Sequence, residues 1–442
     1  MMTMEKTRVR IGVACLARET FDHEAARGIY EGIVDELSRV DGVDYEIIED
    51  LVFKVEGAER AAGRLAKAGI DGLVLIAGTF HLGHLALTFH KQVQRPILLW
   101  GLEELPYDGG KIRLNSVCGI NLDASNLYKA GVRDYHVTIG DTIDEAWIDA
   151  IRIKRTLENA KIGLAGFRAH GFFNLDVDEL DLFKETGILV DHFELASIFD
   201  HPVDDVAVAK RREEVASIFD TAGISADQLR KVAVLTEKLD AFMASNGLDA
   251  LALRCWPEFA ATYGISPCAA MSVLQSCGRI VTCEGDVLGA ASMLAHAAIG
   301  GEAPFLADFS QVNFQEDFAL LWHCGVAPCS LWDGTCTRAL DTYFAGGKGV
   351  TADFVLKPGP VSIARFDYGG RAYRVFLQRA TGVPMDKELK GTYLKVTFDG
   401  GVRRVLDAVI QNGIAHHVSV AYGDLQRPFE IFARIAGWTV VQ

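Results

Sequence analysis

The sequence predicts an α/β protein with two open, parallel-sheet (Rossmann-like) domains followed by a C-terminal antiparallel, barrel-like β domain. Three observations predict it. Strand-like and helix-like segments alternate with short connections over the first hundred or so residues. The same alternation restarts near residue 160. Beyond about residue 335 the pattern changes to short segments in which apolar and polar residues alternate, as in sheets with one solvated face.

In order, residues 8–16 form a β-rich run, and residues 25–40 carry helical periodicity. Residues 45–49 read as a second strand and 55–68 as a helix. The run GLVLI at 72–76 is uninterrupted apolar sequence, the signature of a strand buried on both faces. Residues 85–94 read as a helix and 96–100 as another buried strand. A helical stretch at 142–159 precedes the restart. There Lys161 opens a segment through Arg168 that repeats the character of residues 9–18: a basic residue, a short apolar strand, a polar turn. Alternation continues through 187–199 and 206–216, residues 226–246 are helical, and ALALR at 250–254 is a further buried strand. In the last part, residues 361–367, 374–378, 392–398 and 417–422 alternate, with turns at Gly369-Gly370 and Gly400-Gly401 and a final helix at 428–435. The expected domains are 1–155, 156–335 and 336–442.

Bulk properties narrow the function. The 442 residues carry a formal net charge of −15, which argues against nucleic acid or an anionic membrane as the main partner. The nine cysteines include no CxxC pair, so reduced, buried thiols are expected rather than a zinc site. Charges run through the N-terminal residues and no long uncharged apolar run follows, so the expected location is cytoplasmic, with no membrane span. No phosphate-binding glycine loop and no nucleophile elbow occur, so no nucleotide cofactor is expected.

The chemistry concentrates in two stretches. In the first, the apolar segment 279–282 runs into Glu284 and Asp286, a small-residue helix follows, and Asp308 comes after a second apolar run. The carboxyl ends of strands line the crevice of an open sheet, so this order places Glu284 and Asp308 at one cleft. Two carboxylates converging in an apolar wall repel each other, and a divalent cation between them relieves both repulsion and desolvation. Taken singly, Glu284 serves as well by complementing a helix dipole, and Asp286 reads as a helix N-cap. The second stretch holds His416 and His417, adjacent at the start of a strand and therefore pointing to opposite faces.

At these residues the chain resembles the L-fucose isomerase and L-arabinose isomerase family. The fucose enzymes carry an acidic E-x-D…G motif, a later F-A-D, and an N-H…Y-G motif near the C-terminus. Here the matching residues are Glu284, Asp286 and Gly289; Phe305 through Asp308; and His417 with Tyr422 and Gly423. The acidic spacing, 308 − 284 = 24, fits the same pattern. His416 stands where the family has Asn.

The resemblance implies two open α/β domains with a barrel-like third. It implies that Glu284, Asp308 and His417 bind a divalent metal, Mn²⁺ with Mg²⁺ or Co²⁺ as substitutes. It also implies a homo-oligomer, trimer or hexamer, in which a neighbour's first domain completes each active site. An oxygen-rich site with one imidazole suits Mn²⁺ or Mg²⁺. The expected reaction is aldose–ketose isomerisation of a free sugar through an enediolate, with Glu284 and Asp308 as base and acid. Expected sugar contacts are Arg18, Phe80 and His81 after the first-domain strands, and Arg254 and Trp256 after ALALR. His323 is expected either as a further metal ligand or as a substrate contact. Two alternatives stay open: the same site acting as an epimerase, lyase or isomerase on a modified or acidic sugar, and a non-catalytic sugar-binding protein with two α/β lobes.

Overall fold

The computed structural model describes residues 3–442, which fold as two compact units. One comprises Lys6–Arg155 with Arg427–Trp438. Its strands and helices are β1 (Val9–Leu16), α1 (His23–Leu37), β2 (Val43–Ile47), α2 (Val55–Ala68), β3 (Gly72–Ala77), α3 (His84–Val93), β4 (Ile97–Gly101), α4 (Ser116–Lys129) and β5 (Tyr135–Ile139). The five strands form an all-parallel sheet in the order β2-β1-β3-β4-β5. β3 and β4 are buried on both faces, as their unbroken apolar sequences require. Leu65 of α2 and Phe89 of α3 are fully buried against them, each contributing about 1.5–3 kcal/mol.

A fifth helix, α5 (Glu145–Asn159), leads out of this sheet. A side chain at Gly72 would meet Trp147 at 2.7 Å and Ile151 at 3.2 Å, so the glycine lets α5 lie close on β3. His136 and Arg427 both bond Asp144, at 3.2 and 2.6 Å. Arg427 belongs to the helix Gln426–Ala436 near the chain's C-terminal end, so this segment is part of the first α/β unit.

The other unit begins with a four-stranded parallel sheet. Its elements are β6 (Lys161–Ala165), α6 (Glu179–Thr186), β7 (Leu189–Phe193), α7 (Leu195–Phe199), α8 (Asp205–Ile218), α9 (Ala226–Asn246), β8 (Ala250–Leu253), α10 (Cys268–Ser276) and β9 (Ile280–Cys283). The strand order is β7-β6-β8-β9. Ser225 and Gln228 form a reciprocal capping box that starts α9, and left-handed Gly247 ends it.

After α11 (Val287–Ala298) the chain builds the barrel from β10 (Phe305–Asn313), β11 (Phe318–His323), β12 (Ala339–Asp341), β13 (Thr351–Val355), β14 (Gly359–Gly369), β15 (Ala372–Val383), β16 (Thr392–Thr397), α12 (Val402–Gln411) and β17 (His417–Tyr422). Six strands close antiparallel in the circuit β16-β11-β10-β17-β14-β15 and back to β16. β13 and β12 extend it at one side, and β18 (Thr439–Val441) adds in parallel to β15. Helix α11 is buried along its whole length, packed against β8 and β9 and against β14 and β17. This explains the run of small and apolar residues noted in the sequence: a helix buried all round has no polar face.

The barrel differs from the sequence expectation in where it begins. β10 and β11 are barrel strands, so Asp308 does not sit at the carboxyl end of a strand in the second open sheet. It is the fourth residue of β10, cross-strand from His417 of β17 and Trp322 of β11. The apolar run before it reads equally well as either kind of strand, and only the long-range pairing with β17 decides.

Candidate active site

The site lies where β9 ends and the barrel begins, and each side chain is placed by its own local device. Glu284 follows β9 directly and has φ of 66°, a left-handed conformation that non-glycine residues adopt rarely. Its carbonyl accepts from Ala169 N–H at 2.9 Å, and at Gly285, also left-handed, a side chain would collide with Arg168. The strained turn is thus over-determined by the 166–169 loop, and it turns the Glu284 carboxylate toward the barrel.

Asp286 is the N-cap of α11, as expected, with Oδ1 accepting from Gly289 N–H at 2.8 Å. It does more than cap. Its Oδ2 accepts from His417 Nδ1 at 2.9 Å and from Arg365 Nη1 of β14, and all three side chains are buried. Desolvation alone would raise the pKa of Asp286, but the Arg365 charge and the His417 hydrogen bond outweigh it and hold the carboxyl well below the usual range. Gly289 has a steric reason to be glycine, because a side chain there would overlap the Asp286 carboxylate. Arg365 was not singled out in the sequence. The available signal was an arginine inside the alternating run 361–367, where a buried charge demands a partner.

With Nδ1–H donated to Asp286, His417 presents a bare Nε2. That nitrogen faces Glu284 Oε2 at 3.4 Å and Asp308 Oδ1 at 3.6 Å. The His417 nitrogen and two carboxylates thus converge on one largely buried space, an arrangement that a cation stabilises. The potential ligand atoms fall into two groups that share His417: Glu284, His416 and His417, and Asp308, His323 and His417, each with its atoms within 4.8 Å of one another. The residues present therefore fit a divalent ion of the Mn²⁺ or Mg²⁺ type.

The Glu284 carboxylate has two further partners. Trp256 Nε1–H donates to its Oε1 at 3.1 Å, and His416 Nε2 lies 3.4 Å from its Oε2. Desolvation pushes its pKa up, but the His416 bond foremost, with the neighbouring His417, His323 and Trp256, holds it below the ordinary glutamate value. Asn174 Nδ2 donates to His416 Nδ1 at 3.1 Å, and the Phe172 ring packs edge-on against both Trp256 and His416. So the loop after β6 forms one wall of the site, a contribution invisible in a sequence segment without periodicity.

The structure brings together Glu284, Asp308, His417, His323 and Trp256. Arg254, expected as a sugar contact, follows β8 and pairs with Glu258 at 2.9 Å. Arg18, Phe80 and His81 belong to the first unit, where they follow β1 and β3. Arg18 N–H donates to Thr79 Oγ1 at 2.8 Å. Phe80 packs on Phe21 with ring centres 5.7 Å apart. His81 is fully buried, with Nδ1 on Thr79 O at 2.9 Å and Nε2 on Asp123 at 2.8 Å. Within the chain it offers no free nitrogen and acts as a buried tie between β3 and α4.

Residues 12–156 match the family model described as the N-terminal domain of fucose/sulfoquinovose isomerase. The chain is 26% identical over 425 residues to the sulfoquinovose isomerases of Priestia aryabhattai and Priestia megaterium, covering 93% of this chain and 94% of each relative. It is 25% identical to the sulfoquinovose isomerase of Alkalicoccus urumqiensis, covering 84% of this chain and 86% of that one. Among the described residues no helix is long and apolar enough to cross a membrane. With its parallel sheets, closed six-stranded barrel and near full-length likeness to these enzymes, the chain is a sugar isomerase that resembles the fucose isomerase family.

Proposed function

We propose that the protein is a divalent-metal-dependent ketol isomerase that interconverts a sulfonated aldose, sulfoquinovose, and its 2-ketose through an enediolate. The observation that carries the metal reading is the bare Nε2 of His417 facing the carboxylates of Glu284 and Asp308, with Asp286 fixing the tautomer behind it. The substrate reading is supported by the relatives, whose names specify sulfoquinovose. Glu284, Asp308 and His417 would hold the ion. When bound, a Mn²⁺ ion supplies Lewis acidity at the sugar hydroxyl and carbonyl oxygens.

The chain's own residues do the rest. Glu284, ionised because its pKa is held down, accepts the C2 proton at a carboxylate oxygen and returns it to C1. Trp256 N–H and His416 fix the orientation of that carboxylate. Asp308, about one-quarter exposed, moves the proton between O1 and O2. A homo-oligomer with shared sites belongs to the same proposal, with Arg18 and Phe80 meeting the sugar of a neighbouring copy.

The test is NMR of sulfoquinovose, glucose, fucose and arabinose incubated with Mn²⁺-loaded wild type, with chelator-treated wild type, and with Glu284→Gln. Appearance of the 2-ketose from sulfoquinovose, lost on chelation and in the variant, is the expected result. Turnover of an unsulfonated sugar alone would reject the substrate. An epimer or a cleavage product in the same spectra would replace the isomerase reaction by one of the other chemistries open to this site.

A further inference from the structure

His323 and His417 sit in one site with their rings 5.5 Å apart and their planes 28° apart, yet their surroundings give them opposite chemistry. What separates them is the group that each Nδ1 faces. For His417 it is the Asp286 carboxylate, an acceptor, so Nδ1 keeps its proton and Nε2 keeps its lone pair. For His323 it is a donor: Cys324 N–H donates to Nδ1 at 2.8 Å. The Cys324 sulfur lies 3.2 Å from the same nitrogen, and behind it Cys268 Sγ lies 3.5 Å from Cys324 Sγ. The thiols can therefore donate in series toward Nδ1, adding a second donor to the first.

A nitrogen that receives a backbone N–H cannot also carry a proton along that line, so the neutral ring holds its proton on Nε2. A doubly protonated ring beside a Cys324 thiolate would hold one there too. In both forms Nε2 is a donor, not a ligand. That atom is buried, has no hydrogen-bond partner among the described residues, and lies in one cluster with Asp308 and His417. An orphaned buried N–H aimed into a reaction site is costly unless the ligand satisfies it.

We infer that His323 is a hydrogen-bond donor to a sugar oxygen that becomes negative during isomerisation, and that it does not coordinate the metal. The inference rests on the metal site proposed above and assigns one residue of it. The Cys324 N–H bond to Nδ1 holds the ring in orientation before substrate arrives.

The test compares wild type, His323→Leu and His323→Gln for Mn²⁺ affinity by calorimetry, and for kcat and KM. The glutamine amide can place an N–H near the position of Nε2. The expected result is Mn²⁺ affinity within about threefold of wild type in both variants. In His323→Leu, kcat falls by about 10²–10³, as for loss of one oxyanion donor, with partial recovery in His323→Gln. A tenfold or larger loss of Mn²⁺ affinity in both variants, or an unchanged kcat in His323→Leu, overturns the inference. Should the variants fold poorly, a crystal structure of Mn²⁺-loaded wild type decides. A bond from Nε2 to the ion of about 2.2 Å would make His323 a ligand, whereas a non-bonded Nε2 directed at the substrate pocket supports the donor role. If wild type binds no Mn²⁺ at all, the metal site itself fails, an outcome distinct from loss of binding in the variants.

Discussion

Asp286→Asn separates the two duties of Asp286. Asparagine is as good an N-cap as aspartate, so the bond from Gly289 N–H survives and α11 keeps its start. What is lost is the negative charge between Arg365 and His417. Arg365 is fully buried and forms an ion pair with Asp286. Removing one member of a buried pair strands the other, at about 3–5 kcal/mol. His417 loses the acceptor that fixes its tautomer, and loss of such an outer partner costs about 10–100-fold in metal affinity. Chemical denaturation and Mn²⁺ calorimetry on the same preparations read both numbers. Asp286→Asn with Arg365→Met should regain much of the stability, because no stranded charge remains, yet none of the metal affinity. The reasoning is refuted if Asp286→Asn alone leaves stability within about 1 kcal/mol of wild type and Mn²⁺ binding unchanged, for then Asp286 would be only a cap.

Other expectations follow from the same geometry. Gly289→Ala puts a methyl group into the Asp286 carboxylate, so it should cost about 1–3 kcal/mol in thermal or chemical unfolding and weaken Mn²⁺ binding with it. Trp256→Phe removes a donor to the charged form of Glu284; its pKa should rise, moving the acid limb of the kcat/KM profile to higher pH, with kcat lowered about tenfold or more. In the first unit, desolvation opposes ionisation of Asp144, but bonds from His136 and Arg427 outweigh it and lower its pKa to about 2. Because the folded value is depressed, the stabilisation is complete above the unfolded pKa of about 3.9 and disappears as pH falls toward 2. Wild type should therefore exceed Asp144→Asn by about 1–2 kcal/mol at neutral pH, after discounting for the exposed Arg427, and the two unfolding curves should converge in acid. Finally, if sites are shared between copies, mixing Glu284→Gln chains with Arg18→Met chains should restore part of the activity that each lacks alone; no recovery on mixing would assign each site to a single chain.

The sequence made legible those features that local pattern determines. Uninterrupted apolar runs such as 72–76 and 250–254 became buried parallel strands, and the alternating runs 361–367 and 417–422 became barrel strands. The second strand, read at 45–49, is Val43–Ile47, an offset usual where the end residues carry mixed polarity. Pairing choices between distant segments were not legible. The run before Asp308 gives no sign that its partner is His417, and the amphipathic helix α12 falls between the turn at Gly400-Gly401 and the strand at 417–422, where no element was expected. In the site, the acidic residues and His417 were readable because their types and order are themselves chemical. The Asp286–Arg365 pair, the wall from Phe172 and Asn174, and the different states of two similar histidines were not, because each depends on which atom faces which across the fold.

The helix Gln426–Ala436 has a consequence for how the protein is made. Residues 427–438 belong to the α/β unit that residues 6–155 begin, while the whole of the other sheet and barrel is encoded between them. During synthesis the first sheet must therefore wait, with Asp144 and His136 lacking Arg427 and Arg434, until nearly all of the chain has left the ribosome. Domains that normally complete in order from the N-terminus cannot do so here. The unit that starts first finishes last, so premature termination anywhere upstream of residue 427 leaves an apolar groove open on it, and a truncated fragment of 6–155 is a poor candidate for independent expression.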